Sequence, residues 1–265
     1  MKLLHSLILG SGERHLIVLH GFLGMGDNLK THAKRWESQG WCVHLIDQRN
    51  HGRSFWSTEF NYSILAEDLK TYLDHHQIQK CTLLGHSMGG KTAMFFATQN
   101  PEYIQQLLVA DIAPKTYASH HQQILNGLAS LDLSTLQTRS AVDQALSDYV
   151  PEVGVRQFLL KNIYWVENGQ LGLRVNIEVL KGVGTIIGTG LEPHQQFDGP
   201  TLFLRGLQSG YITDEDRLIL HHYFPNNVLK DIEKAGHWLH AENPVAFLEA
   251  IESWWKYNEI FTVFL

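Results

Sequence analysis

Gly85-His86-Ser87-Met88-Gly89 follows the apolar run 81–84 and opens a stretch with helical spacing. A serine on such a strand-to-helix turn lifts its hydroxyl above a sheet edge, and the flanking glycines let strand and helix approach closely. This is the setting for nucleophilic attack on a carbonyl, which also needs a base and two fixed donors for the oxyanion. The base expected late in the chain is His237, in Ala235-Gly236-His237-Trp238, with His240 as its competitor three residues on. The oxyanion donors expected are the backbone N–H groups of Met88, at a helix start, and of Phe22, in the glycine-rich loop after His20-Gly21.

A third group must orient the imidazole, and here the residues leave a choice. The stretch after the apolar run 201–205 reads Gly206-Leu207-Gln208-Ser209-Gly210-Tyr211, without a carboxylate. Asp214 and Asp216 come later, where Thr213 and acidic residues fit the first turn of a helix. Asp111 ends the apolar run 107–111, next in sequence after the nucleophile strand and its helix. Because such triads are recognised by geometry and not by order, Asp111 is favoured over Asp214 and Asp216. A loop-bracing role is its alternative.

These groups require a parallel sheet to hold them. Strands are expected at 3–9, 16–20, 41–46, 81–84, 107–111, 201–205 and 227–232, and helices at 28–38, 62–75, 88–99, 214–222 and 244–255. The alternation predicts a sheet covered by helices on both faces, and Asn100-Pro101 stops the helix after the nucleophile. From 115 to 195 the alternation fails, while 124–131, 140–149 and 155–162 keep helical spacing. The reading is therefore a hydrolytic core, 1–114 and 196–265, with a helical cap, or lid, inserted at 115–195 over the ligand-binding edge. The glycine-rich run 182–190 reads as a flexible return loop.

A chain of 265 residues with 44% hydrophobic content can bury one large core. Its net charge of −6 and lack of a Lys/Arg cluster argue against a nucleic-acid partner. Cys42 and Cys81 lie in strand-like apolar runs and read as core residues, not as a disulfide or metal site. The 16 histidines show no His-Glu-x-x-His spacing, so no metal is expected and most are read as solvated surface. Without a long apolar span or a leader pattern, a soluble cytoplasmic protein is expected, with no membrane partner, as a monomer or homodimer. The apolar end at 260–265 is unusual and could pack on the sheet edge or a partner.

His20-Gly21-Phe22-Leu23-Gly24, Asp47-Gln48-Arg49-Asn50-His51-Gly52, the serine turn continued to Gly90-Lys91, Asp111-Ile112-Ala113-Pro114, Gly236-His237-Trp238 and the stretch 154–161 together resemble the α/β-hydrolase superfamily. Within it the likeness is to YbfF-like bacterial esterases, over nearly the whole chain. The resemblance implies an α/β fold with an eight-stranded, mostly parallel sheet and a helical cap, no cofactor, and hydrolysis of short-chain esters and acyl-CoA thioesters. It implies an acid on the sixth strand, which falls on Asp111, and an auxiliary role for Ser209. A second reading within the superfamily is carbon–carbon bond hydrolysis or lysis, with Arg139, Arg156 or Arg174 of the cap binding a substrate carboxylate. A binding protein that has lost catalysis is the non-enzymatic alternative.

Overall fold

The computed structural model describes residues 2–167 and 169–262, with side chains to residue 257. Nine strands are described: β1 (Ser6–Leu9), β2 (Arg14–Leu19), β3 (Trp41–Ile46), β4 (Cys81–His86), β5 (Ile104–Ala110), β6 (Ile163–Glu167), β7 (Gln170–Leu173), β8 (Thr201–Gly206) and β9 (Asn227–Ile232). Seven of them form one sheet in the order β1-β3-β2-β4-β5-β8-β9, all parallel except β1, which runs antiparallel to β3. The sheet is thus seven-stranded among the described residues, not eight-stranded. Each strand read from the apolar runs is present, and only the extra strand implied by resemblance is absent, so the strand ending before Asp111 is the fifth.

The central strands are mostly apolar and are buried throughout because both faces are covered. All six residues of β3, β4 and β8 are buried. Side-chain alternation divides the core in two: Ile17 and Leu19 of β2 face one cluster, Leu16 and Val18 the other. The first cluster is covered by α2 (Tyr62–His75) and α3 (Met88–Gln99), the second by α1 (Lys30–Ser38) and the long C-terminal helix at 244–262. Asn61 caps α2 by accepting from Ile64 N–H at 2.9 Å.

Between β5 and β8 the chain forms α4 (Gln122–Ala129), α5 (Arg139–Ser147), α6 (Val153–Leu160), the β6–β7 hairpin, α7 (Ile177–Leu180) and α8 (Gly184–Ile187). The three helices expected here are present. The hairpin was not expected, and the run read as a flexible loop contains α8, anchored where Tyr62 Oη donates to Ile187 O at 2.7 Å. The two ends of the excursion run side by side, with Leu191 N–H donating to Pro114 O and Tyr117 N–H to Gly188 O, both at 2.8 Å. Lys91 of α3, 1% exposed, joins them by donating from Nζ to Lys115 O and to Thr189 O. Burial, and then the neighbouring Lys115 charge, push the Lys91 ammonium down to about 7.

Past β8, α9 (Arg217–Tyr223) follows a short 3-10 turn, and α10 (Leu239–Glu242) and α11 (Pro244–Thr262) close the chain. No helix among the described residues is long and apolar enough to cross a membrane. The apolar stretch 260–265 lies outside the described side chains.

Candidate active site

Parallel strands in register end on one edge, which decides where the chemistry sits. Leu19 pairs with Gly85, His86 with Ala110 and Ala110 with Leu204. The residues just beyond, His20, Ser87 and Asp111, therefore stand in a row along the carboxyl edge. The ladder holds them there: Ser87 N–H donates to Ala110 O at 3.0 Å and Asp111 N–H to Leu204 O at 2.8 Å.

Ser87 has φ 53° and Asp111 φ 54°, a left-handed conformation that costs energy for a residue with a side chain. The tight turn at Ser87 requires its glycines: a Cβ on Gly85 would lie 2.2 Å from Gly89 O, and one on Gly89 2.4 Å from Leu19 O.

The structure brings together Ser87, His237 and Asp111. Ser87 Oγ lies 2.9 Å from His237 Nε2, and His237 Nδ1 lies 2.8 Å from Asp111 Oδ2. A carboxylate only accepts, so Nδ1 carries the proton and Nε2 presents its lone pair to the serine hydroxyl. Asp111 is fully buried and accepts also from Gly206 N–H at 3.0 Å and from Ser209 Oγ. Buried charge of this kind persists only when so surrounded by donors. Ser209, singled out in the sequence, thus touches the acid and not the imidazole.

His240 is turned elsewhere. It is buried against the rings of His86 and His32, and burial pushes it down to about 3. Asp214 pairs with Arg205 and Arg217, and Asp216 with Lys115 at 2.7 Å, so neither reaches a histidine. The three arginines between β5 and β8 are likewise occupied away from Ser87. Arg139 donates to Ile163 O, Arg156 bonds Asp143 and two carbonyls, and Arg174 lies over the Tyr164 ring. A substrate carboxylate would find no arginine among the residues that line the site.

The loop carrying Phe22 is held by the 47–52 segment. His20 Nε2 accepts from Gln48 N–H at 3.0 Å, and His51 Nε2 accepts from Leu23 N–H at 3.2 Å. Burial drives His20 down to about 4; burial and then the adjacent His20 drive His51 to about 3. Both rings thus stay neutral acceptors near neutral pH. The loop also presses on the serine turn: a Cβ on Gly21 would lie 2.8 Å from His86 Nδ1 and 3.4 Å from Ser87 Cβ. Met88 begins α3, where the first amide groups lack intrahelical acceptors. Six of the 16 histidines are buried (His20, His32, His44, His51, His86 and His240), so the surface expectation is corrected for these. His20, His44, His51 and His86 each hydrogen-bond within the fold.

Two residues given no role from sequence join the site. Tyr211 stacks on His237, with ring centroids 4.0 Å apart and planes inclined by 19°, and its hydroxyl meets His120 Nε2 at 2.5 Å. His86 Nε2 donates to the backbone carbonyl of His237 at 2.7 Å. Two narrow cavities meet at Ser87. One, about 60 Å³, is walled by Phe22, Ile124, Val155, Phe158 and Trp238; the other, about 20 Å³, by Met88, Ile112, Tyr117, Ile187 and Tyr211.

Comparison with known proteins gives a consistent placement. Residues 14–149 match the family described as alpha/beta hydrolase fold. The chain is 36% identical to esterase YbfF of Escherichia coli (strain K12), covering 89% of this chain and 91% of that protein. It is 34% identical to the sn-1-specific diacylglycerol lipase ABHD11 of Mus musculus, over 90% of this chain and 80% of the other. The solved structure of a marine microorganism esterase superposes with a TM-score of 0.92 at 37% identity, covering 96% of this chain and all, 100%, of that one. The chain belongs to the α/β-hydrolase family.

Proposed function

We propose that this protein is a serine ester hydrolase, with Ser87 as nucleophile, His237 as general base and then acid, and Asp111 as the orienting carboxylate. The observation that carries the reading is the continuous line from Ser87 Oγ through both nitrogens of His237 to Asp111 Oδ2, at 2.9 Å and 2.8 Å. His237 Nε2 takes the hydroxyl proton as Oγ bonds to the ester carbonyl carbon. The amides of Phe22 and Met88 receive the oxyanion. His237 then protonates the departing alcohol, and water repeats the sequence to free the acid and Ser87.

The narrow apolar cavities on either side of Ser87 favour a short acyl chain. The same steps serve an acyl-CoA thioester, whose thiolate leaves more readily than an alkoxide and then takes the proton from His237. The 115–195 excursion acts as a cap domain, supplying one wall of each cavity. The free thiols of Cys42 and Cys81 suit the reducing cytoplasm. Esterase and lipase names among proteins about 35% identical support ester over carbon–carbon cleavage.

Ser87→Ala is expected to lower turnover of p-nitrophenyl butyrate by about 10⁴-fold or more, with an unchanged melting temperature. Wild-type turnover by that variant would overturn the assignment. An acyl-chain series of esters and acyl-CoAs with the wild type then fixes the leaving group and chain length.

A further inference from the structure

His15, Cys42 and His44 bring their side chains to one point, with one possible ligand atom from each within 4.8 Å of the others. Strand pairing produces this grouping. Cys42 and His44 are two apart on β3 and so share a face, and His15 on β2 is the register partner of Cys42. The linear spacing gives no hint of it, which is why Cys42 reads from sequence as a plain core residue.

The hydrogen bonds fix which atoms point inward. The Tyr72 hydroxyl donates to Ser6 Oγ at 2.7 Å, so its oxygen accepts the Nδ1 proton of His44 at 2.8 Å. That leaves His44 Nε2 unprotonated, with a single lone pair. Two groups lie against that lone pair: His15 Nδ1 at 3.1 Å and Cys42 Sγ at 3.4 Å, the thiol reaching Gly10 O as well at 3.6 Å. A thiol is a weak donor to either acceptor, whereas one cation can accept electron density from all three atoms. Bond lengths of about 2.0 Å to nitrogen and 2.3 Å to sulfur put tetrahedral ligands about 3.3 Å (N to N) and 3.5 Å (N to S) apart, close to the 3.1 Å and 3.4 Å that separate His44 Nε2 from His15 Nδ1 and Cys42 Sγ.

We propose that His15 Nδ1, Cys42 Sγ and His44 Nε2 form a binding site for a borderline divalent cation such as Zn²⁺, with Tyr72 as the group that orients His44. Binding converts the Cys42 thiol to a thiolate and releases one proton; His15 shifts its ring proton from Nδ1 to Nε2, so both imidazoles bind as neutral ligands. Three protein ligands leave a fourth position for solvent, and partly exposed His15 provides the way in. The orienting hydrogen bond on the far nitrogen of His44 is the arrangement that metal-ligating histidines normally carry.

The site's role is structural. His15 stands five residues before His20 on β2, the strand that leads into the Phe22 loop, about 16 Å at the usual rise per residue. The ion would tie β2 to β3 at the end of the sheet opposite the chemistry.

Co²⁺ titration of the full chain tests this. The expected result is one equivalent bound, with a near-ultraviolet sulfur-to-cobalt charge-transfer band and the strong visible bands of a four-coordinate site, displaced by Zn²⁺. Cys42→Ala should abolish the charge-transfer band, Cys81→Ala should keep it, and His15→Gln should weaken binding by more than about tenfold. Zn²⁺ at a hundredfold excess over its Kd should raise the wild-type Tm by about 5 °C and leave that of Cys42→Ala unmoved. Ester turnover should be the same in Cys42→Ala as in the wild type. Absence of a charge-transfer band in the wild type, or its survival in Cys42→Ala, overturns the proposal.

Discussion

Replacing Asp111 with asparagine tests the line of hydrogen bonds at its buried end. The carboxylate accepts from three donors: Gly206 N–H at 3.0 Å on one oxygen, Ser209 Oγ and His237 Nδ1 at 2.8 Å on the other. Asparagine keeps the shape but turns one oxygen into an NH₂ group. Gly206 N–H still requires an acceptor, so the amide oxygen stays on that side and the NH₂ faces Ser209 and His237. An N–H directed at Nδ1 moves the imidazole proton to Nε2, which then offers Ser87 Oγ a donor in place of a lone pair. The variant loses both the base and the charge that stabilises the imidazolium. Such a tautomer reversal lowers kcat by about 10⁴-fold, or 5.4 kcal/mol at 1.36 kcal/mol per decade. KM should change little, because Asp111 lies behind the imidazole and away from both cavities. Initial rates on p-nitrophenyl butyrate provide the assay, with Asp214→Asn as control; that exposed carboxylate should be dispensable within about twofold. Turnover of Asp111→Asn within tenfold of wild type would refute the tautomer argument.

Buried neutral histidines make the fold sensitive to acid. His20, His51 and His240 titrate at about 4, 3 and 3 in the folded chain, below the ordinary value of 6.5. Their contribution to stability is therefore complete above pH 6.5 and is lost as pH falls toward the folded values, since the unfolded chain takes up the protons first. At pH 5 the loss is about 2 kcal/mol per ring, or roughly 6 kcal/mol in all. A urea midpoint that is the same at pH 5 as at pH 7 would contradict this. Gly21→Ala should lower kcat by about 10²-fold with little loss of Tm, because the new methyl pushes the Phe22 loop off the serine turn; steady-state rates beside a thermal melt would expose an error.

The sheet was legible because its central strands are buried on both faces and carry short, largely apolar runs, as in 81–84 and 201–205. Helices α2 and α3 were legible in their bounds, through the apolar period and the Asn100-Pro101 stop. The β6–β7 hairpin was missed because its strands bury little: along β6 only Ile163 is buried. The signal that could have found it is the Asn168-Gly169 pair right after the β-branched and aromatic run 163–166, with Gly169 at φ 85°. Ser87 and His237 follow from local motifs. Asp111 is legible only as a strand end, because its choice over Asp214 depends on which strand lies beside β4. Tyr211 stacking and the His15, Cys42 and His44 grouping arise from contacts between distant segments, which no local spacing encodes.

One ammonium, that of Lys91, grips carbonyls at both feet of the 116–188 excursion. Both ends of that excursion meet the α/β frame there, close beside the helix that follows Ser87. Between them it touches the frame again, Asn162 Nδ2 donating to Leu23 O at 2.8 Å and Asn176 N–H to Asn50 O at 2.9 Å. A change of length inside the excursion would therefore be felt in the loop that carries Phe22, and inherited changes in the two have to be matched.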